Sequence, residues 1–236
     1  MNYTEIHIWG DSVARGIVYN QPKQRYAISK ERCTNRLQQA FSCPVVNHAM
    51  MGATIRDGQE AFSHFSPVPG ALCAIGYGGN DCDPDWDAMS MAPGAAVQAR
   101  VPLEEYKTRL TAFVQAVRRE GMIPLLLTPL PIHAQRYYAW VCRERNAKNV
   151  LTSLGDLHHI YRWQERYVLA MWHVAKETGC ELMDLRERFL ALDDFDSLYC
   201  RDGIHPSEKG YQALSQIVLD EARLDKQVPW REAVGA

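Results

Sequence analysis

Four short segments of the chain, each containing glycine or aspartate, carry the residue types used in acyl-transfer chemistry. A Gly-Asp-Ser run at residues 10–12 follows an apolar segment, and an Asp-Gly-Ile-His-Pro run occupies residues 202–206. Gly52 and a Gly-Gly-Asn-Asp run at residues 78–81 lie between them. Serine, histidine and aspartate form the nucleophile, base and orienting carboxylate of serine hydrolases, while glycine and asparagine can donate to an oxyanion. Each segment alone is commonly a turn, but the four together indicate a catalytic site.

The pair Asp202 and His205 has the spacing expected of an orienting acid and a base. One turn of chain can place the Asp202 carboxylate against His205 Nδ1, which leaves Nε2 free to take a proton from Ser12. Pro206, directly after the histidine, suits the first turn of a helix. The alternative is a helix-capping aspartate beside a surface histidine. We predict that Ser12, Asp202 and His205 are catalytic.

Three donors are available for an oxyanion hole. They are the backbone amide of Ser12, the backbone amide of Gly52, which has no obstructing Cβ, and the side-chain amide of Asn80. The alternatives are a helix N-cap for the serine, a plain turn for the glycine and an Asx-turn for the asparagine.

The predicted strands and helices alternate along most of the chain. Apolar runs predict strands at residues 5–9, 44–48, 71–75, 123–128 and 181–183. Helical patterns occupy residues 29–41, with Ser29 as N-cap, and residues 54–64, 103–120, 161–178 and 208–224. Such alternation predicts a parallel sheet, in which ligands bind outside the carboxyl ends of the strands. We therefore expect the four segments to converge on one edge of the sheet.

Residues at about 129–161 break this alternation and form an insertion. Because they follow the carboxyl end of a strand, they are placed to wall or cover the crevice, and Tyr138 and Trp140 are candidate substrate contacts. A helical packing layer is the equal alternative. Aromatic and arginine side chains here suit a polar or sugar-bearing ester better than a long acyl chain.

Composition excludes several other classes of protein. The 236 residues suit one domain, 1–236, and a net charge of −2 gives no electrostatic footprint for nucleic acid. No apolar run is long enough to span a membrane, and the first residues lack the pattern of a signal peptide. The seven cysteines include no Cys-x-x-Cys pair, so neither a disulfide framework nor a thiolate zinc site is predicted. We expect a cytoplasmic location, and composition leaves the oligomeric state open.

No metal or other cofactor is predicted. The acidic stretch at residues 81–87 lacks the glycine and glutamate of a calcium loop, because Trp86 and Ala92 occupy those positions. A hydrogen-bonded loop that holds Asn80 is the favoured interpretation. His158 and His159 are adjacent and so lack the spacing of paired histidine ligands. Cys82 has no neighbouring histidine in the sequence that would make it a nucleophile.

These segments resemble the conserved blocks of the SGNH hydrolases, also called GDSL-type esterases and lipases. The family's signature Ser, Gly, Asn and His fall on Ser12, Gly52, Asn80 and His205, and its Asp falls on Asp202. One letter departs, since valine follows Gly-Asp-Ser where leucine is usual. The resemblance implies an α/β fold, a three-layer α/β/α sandwich with a flavodoxin-like central parallel sheet of about five strands. It also implies ester hydrolysis without a cofactor.

The sequence therefore predicts a serine esterase acting on a small-molecule ester. A short-chain carboxylic ester is favoured, with an acetyl group on a carbohydrate as one candidate. A lipase, a thioesterase, an acyltransferase of the same fold, or a non-catalytic binding module that kept the fold are the alternatives. The α/β-hydrolases share the order Ser, Asp, His but need Gly-x-Ser-x-Gly in mid-chain, whereas Ala14 stands two residues after Ser12.

Overall fold

The computed structural model describes residues 2–94, 96–225 and 227–229. In chain order its elements are β1 (Ile6–Gly10), α1 (Ser12–Arg15), β2 (Ile17–Asn20), β3 (Arg25–Ile28), α2 (Cys33–Ala40), β4 (Val45–Asn47), α3 (Ile55–Ser63), β5 (Leu72–Gly76), α4 (Trp86–Met91), α5 (Leu103–Arg119), β6 (Ile123–Leu127), α6 (Ala134–Val141), a 3₁₀ turn (Cys142–Glu144), α7 (Ala147–Leu154), α8 (His159–Thr178), β7 (Glu181–Met183), α9 (Leu185–Leu190), a second 3₁₀ turn (Phe195–Leu198) and α10 (Glu208–Ala222).

Five strands form a parallel sheet in the order β4-β1-β5-β6-β7. The first strand of the chain is thus inside the sheet, and the strand order reverses beside it, as in flavodoxin-like folds. Pro124 lacks an N–H but lies at the start of β6, one residue before pairing with β7 begins at Leu125. The predicted sheet is confirmed in its strand count and direction.

Helices cover both faces of the sheet because alternate strand residues are apolar on each side. Trp9 and Ile75 belong to one core with residues of α3, α5 and α8. Ile8 and Leu72, which point the other way, pack in a second core with residues of α2 and α10. The result is the expected three-layer α/β/α sandwich. No helix in the described part of the chain is long and apolar enough to cross a membrane.

One predicted helix is wrong at its start. Helix α2 begins at Cys33, and the Ser29 hydroxyl accepts from the Glu31 amide and donates to Glu208 instead of capping a helix. Residues 17–28, which carried no prediction, form an antiparallel hairpin of β2 and β3. The hairpin follows α1 directly, and the Ser29 amide closes it by donating to the Gly16 carbonyl.

The insertion is largely helical. It contains α6 and α7, and α8 begins at His159, two residues before the predicted start. Its apolar side chains form a satellite core with Trp86 and Met89 of α4, so the insertion packs against the acidic loop after β5. It therefore lies at the edge of the sheet where the strands end.

Candidate active site

Ser12 is held at the carboxyl end of β1 by a tight strand-to-helix turn. Asp11 is the N-cap of α1, and its Oδ1 accepts from the Val13 amide at 2.9 Å. A Cβ at Gly10 would lie 2.8 Å from the Gly76 carbonyl oxygen, so the turn needs glycine where β1 and β5 approach closely. Burial raises the pKa of Asp11, with the amide of Val13 acting in the opposite direction.

Ser12, His205 and Asp202 form one hydrogen-bonded chain. The Ser12 Oγ lies 2.9 Å from His205 Nε2, and His205 Nδ1 lies 2.7 Å from Asp202 Oδ2. All three side chains are buried, Asp202 completely. Ser12 thus meets two residues that are 190 or more positions away in sequence, as expected of segments that follow the strand ends of a parallel sheet.

The loop around Asp202 fixes the carboxylate that orients the histidine. Its Oδ1 accepts from the amides of Ile204 and His205 at 3.1 and 3.0 Å. Burial raises the pKa of Asp202, but the hydrogen bonds and charge of His205 outweigh burial, so the net pKa lies below the ordinary value. The carboxylate is therefore ionised at neutral pH.

Pro206 is not in the first turn of the last helix, as the sequence suggested. Helix α10 begins at Glu208, and Ser207 is its N-cap, accepting from the Gly210 amide at 3.1 Å. A Cβ at Gly203, whose φ is +75°, would lie 2.5 Å from the Tyr137 nitrogen. Glycine is therefore required where this loop passes under α6, and this close approach connects the insertion to the loop that carries His205.

The two loops that carry Gly52 and Asn80 are joined by a buried carboxylate. Asp81 Oδ1 accepts from the Ile55 amide and Oδ2 accepts from the Gly78 amide, each at 2.9 Å. Burial raises the pKa of Asp81 to about 6, against the effect of these two amides. Sequence reasoning gave this residue no role of its own, although it follows Asn80 directly.

Asn80 and Gly52 remain available as donors on these loops. One N–H of the Asn80 side chain donates to the Ala53 carbonyl at 3.1 Å, and the amide group has a second N–H. Gly52 has a φ of +77°, and no heavy atom lies within 4 Å of the position that a Cβ would take. Asn80 is part-exposed, so its free N–H can be reached by a ligand.

The acidic stretch after Asn80 is a hydrogen-bonded loop, as predicted. Asp83 Oδ1 accepts from Trp86 Nε1 at 2.8 Å and from the Tyr137 hydroxyl, and Asp85 caps α4 by accepting from the Ala88 amide at 2.9 Å. Burial raises the pKa of the Cys82 thiol, which donates a hydrogen bond to the Gly79 carbonyl. Within the described ranges no three His, Cys, Asp or Glu side chains converge as metal ligands.

The hairpin of β2 and β3 places an aromatic cluster next to His205, which the sequence did not predict. The Tyr26 ring lies edge-on to the His205 ring, with centroids 5.1 Å apart, and the pKa of Tyr26 is raised by burial and by the Asp202 carboxylate. Tyr19 lies 4.8 Å from the Trp140 ring. The runs Ile-Val-Tyr and Tyr-Ala-Ile on either side of a proline-containing turn were the available signal.

Trp140 and Tyr138, the two aromatic residues predicted to contact substrate, point to different parts of the structure. Trp140 faces the hairpin, and the Arg143 guanidinium lies 3.1 Å above its ring centroid. The Tyr138 hydroxyl instead donates to the Ala147 carbonyl at 2.7 Å, so this side chain is directed to α7 within the insertion.

A cavity of about 600 Å³ lies beside Ser12. Ser12 and Asn80 line it together with insertion residues such as Ile132 and Tyr137. The same cavity extends along the sheet face that packs on α2 and α10. A ligand in this space would contact both the serine and the insertion.

Comparison with known proteins places the chain in a family. The sequence matches the model of the GDSL-like lipase/acylhydrolase family over residues 8–213. It is 25% identical over 175 residues to GDSL esterase/lipase WDL1 of rice (Oryza sativa subsp. japonica), a match that covers 72% of this chain and 59% of the rice protein.

Solved structures share the fold. A lipase/acylhydrolase from Enterococcus faecalis is 17% identical with a TM-score of 0.67, covering 99% of this chain and 100% of that one. An acetylxylan esterase from Geobacillus stearothermophilus is 20% identical with a TM-score of 0.62, covering 93% and 94%. At these identities the likeness concerns the fold, whereas the family match covers the four sequence segments themselves. The chain therefore belongs to the GDSL-like lipase/acylhydrolase family, the SGNH hydrolases.

Proposed function

We propose that the protein is a serine esterase that hydrolyses a short-chain carboxylic ester through an acyl-enzyme. The observation that carries this proposal is the hydrogen-bonded chain from Ser12 Oγ through His205 to Asp202, with distances of 2.9 and 2.7 Å. This chain has the order and geometry of a nucleophile, a base and an orienting carboxylate.

Acylation begins when Ser12 Oγ attacks the ester carbonyl carbon and His205 Nε2 takes the hydroxyl proton. Asp202 accepts from Nδ1–H, which fixes the tautomer and stabilises the imidazolium that forms. When the tetrahedral intermediate collapses, the bond to the alcohol oxygen breaks and His205 returns the proton to that oxygen. Water then repeats the attack on the acyl-enzyme, releasing the acid and Ser12.

The oxyanion is held by the amides of Ser12 and Gly52 and by the side chain of Asn80. Asp81 supports this role for two of the donors, because it accepts from the Gly78 amide in the Asn80 loop and from the Ile55 amide in the Gly52 loop and so links the two loops. Prepositioned donors act on charge that develops in the transition state and need no reorganisation at that moment. The mechanism uses no metal or organic cofactor.

An acetyl group on a carbohydrate is the substrate we favour within this class. Two observations support it: the aromatic side chains around the site, including Trp140 and Tyr26, and the shared fold of an acetylxylan esterase. Lipase, thioesterase and acyltransferase activities differ in acyl length or acceptor and are separable by assay. We propose one domain, residues 1–236, acting on a small-molecule ester.

The test compares the wild type with Ser12→Ala on p-nitrophenyl acetate and its longer-chain homologues. We expect hydrolysis that favours the acetyl ester and falls by several orders of magnitude in the variant, with an unchanged circular dichroism spectrum. A preference for long chains would indicate a lipase. A folded wild type with no hydrolysis of any ester or thioester would favour the binding module.

A further inference from the structure

One arm of the cavity lies between the insertion and the loop that follows Asn80. Trp163 Nε1 donates to the Cys82 carbonyl at 2.8 Å, and the Tyr137 hydroxyl donates to Asp83. Because residues 82 and 83 lie two and three positions after Asn80 in the same loop, this arm begins near the proposed reacting centre.

The walls of the arm are aromatic and aliphatic. Their side chains come from α4, the segment before α6, α6 itself, α7, α8 and the turn before α10: Trp86, Ile132, Tyr137, Leu154, Ile160, Trp163 and Ile204. Ligand sites are commonly apolar in this way, with a few placed polar groups that fix orientation.

Most polar side chains that line the arm already make hydrogen bonds within the protein. Asp83 Oδ1 accepts two hydrogen bonds, and Gln164 donates to the Leu130 carbonyl and accepts from Arg186, both at 2.9 Å. His159 is different. Its Nε2 is buried and finds no hydrogen-bond partner among the described residues, while its ring stacks on Trp163 with centroids 5.6 Å apart.

A buried nitrogen without a partner costs free energy unless a ligand satisfies it. His159 lines the cavity, so a ligand in the arm can reach it. Neither the acyl-transfer mechanism nor the packing of α8 uses this nitrogen.

We propose that this arm binds the hydroxyl-bearing ring of the substrate's alcohol part, and that His159 Nε2 is its hydrogen-bond partner. The inference rests on the proposed esterase function and names the part of the site that selects the alcohol. A neutral pyranose ring fits both features of the arm. Its C–H face can pack on the indole and phenol rings of the walls, and the hydroxyls at its edge can bond to His159 Nε2.

The test uses a matched pair of variants and a matched pair of esters. His159→Phe keeps a ring that can stack on Trp163 but removes the nitrogen, and His158→Phe changes the exposed neighbouring histidine, which makes no capping hydrogen bond. The esters are a mono-acetylated methyl pyranoside and cyclohexyl acetate, which has a six-membered ring without hydroxyls. For each enzyme, the ratio of the two kcat/KM values is measured.

We expect the wild type to prefer the pyranoside ester and His159→Phe to lower the ratio about tenfold or more, as loss of a buried hydrogen bond to substrate should. His158→Phe should keep the wild-type ratio. A ratio that His159→Phe leaves unchanged, or that both variants lower equally, would overturn the subsite.

A binding experiment separates this proposal from the esterase function. Methyl pyranoside is titrated into the wild type and His159→Phe, and quenching of tryptophan fluorescence is followed, since Trp86 and Trp163 line the arm. Saturable binding that His159→Phe weakens supports the subsite even if no ester is hydrolysed. Absence of binding in the wild type, or equal binding in the variant, contradicts the subsite even if the esterase activity is present.

Discussion

Two buried aspartates organise the candidate site, each through backbone amides. Asp202 accepts from two amides of its own loop while its other oxygen binds His205 Nδ1. Asp81 accepts from amides of two different segments, at Ile55 and Gly78. In the proposed mechanism Asp202 orients the base, His205, and Asp81 links the loops that carry the oxyanion donors Gly52 and Asn80. Both carboxylates therefore hold backbone segments in place, and in the proposed mechanism the charge on Asp202 also stabilises the imidazolium.

At the scale of one residue, Asn80→Ala tests the oxyanion hole. We expect kcat on p-nitrophenyl acetate to fall by roughly 100- to 1,000-fold, with a much smaller change in KM, because the donor acts mainly in the transition state. Steady-state kinetics on both proteins measure this split.

Asn80→Asp is the matched control, since it keeps the shape but replaces the donor with an acceptor. It should lose as much kcat as the alanine variant. An effect confined to KM in either variant would contradict the oxyanion role.

At the scale of elements, the sequence predicts well where local periodicity and packing agree. Helix α5 was predicted at residues 103–120 and runs from Leu103 to Arg119, because its apolar stripe is the one buried against the sheet. The hairpin at residues 17–28 was missed because the burial of its strands does not alternate from residue to residue: β2 has two buried residues followed by two half-buried ones, and β3 has two half-buried residues between two exposed ones. Its role beside His205 depends on contacts that lie far apart in sequence.

The hairpin predicts a positioning role for Tyr26. Its ring packs on His205, so Tyr26→Ala should lower kcat about tenfold by loosening the base, while Tyr26→Phe keeps the ring and should restore most of kcat. KM should change little in either variant.

Tyr19→Ala is the control, because it removes an aromatic ring of the same hairpin that contacts Trp140. A similar loss of kcat in the Tyr19 and Tyr26 alanine variants would show that the hairpin matters only as a packed unit. Failure of Tyr26→Phe to restore kcat would point to the hydroxyl near Asp202 instead of the ring.

At the scale of the whole molecule, the position of the candidate site follows from a general rule of parallel sheets. Segments that follow the carboxyl ends of parallel strands lie at one edge of the sheet, so the sequence alone predicts that Ser12 and His205 are close together. The cavity arm at His159 could not be predicted in this way, because it depends on how α4, α6, α7 and α8 pack on one another. Such packing between helices is not encoded in any short segment.

The stability of the whole molecule should depend on pH through His48. This ring stacks on Trp9 with centroids 4.2 Å apart, its Nε2 lies 2.9 Å from His7 Nδ1, and Phe65 packs at its edge. Burial, and then the neighbouring His7, lower the pKa of His48 from 6.5 to about 4. Between these values the unfolded chain binds more protons than the folded one, so this contribution to stability is lost as the pH falls from 6.5 to 4.

The measurement is the free energy of unfolding by urea at several pH values in the wild type and His48→Phe. The phenylalanine keeps the stacking on Trp9 and removes the titrating group. Between pH 6.5 and 4 the free energy of unfolding of the variant should therefore fall by about 1–2 kcal/mol less than that of the wild type, after allowance for solvent screening. The difference between the proteins is needed because Asp81, whose pKa is raised to about 6, titrates with the opposite sign. Parallel curves would contradict the assignment.

The most direct test of the account is covalent labelling by a fluorophosphonate, which reacts with a serine only when that serine is activated as a nucleophile. Intact-mass and peptide mapping should find one adduct on Ser12. No adduct should form on Ser12→Ala, and labelling of His205→Ala should be slowed by orders of magnitude, since the base is removed. An unlabelled wild type, or an adduct that persists in Ser12→Ala, would contradict the claim that Ser12 is the nucleophile.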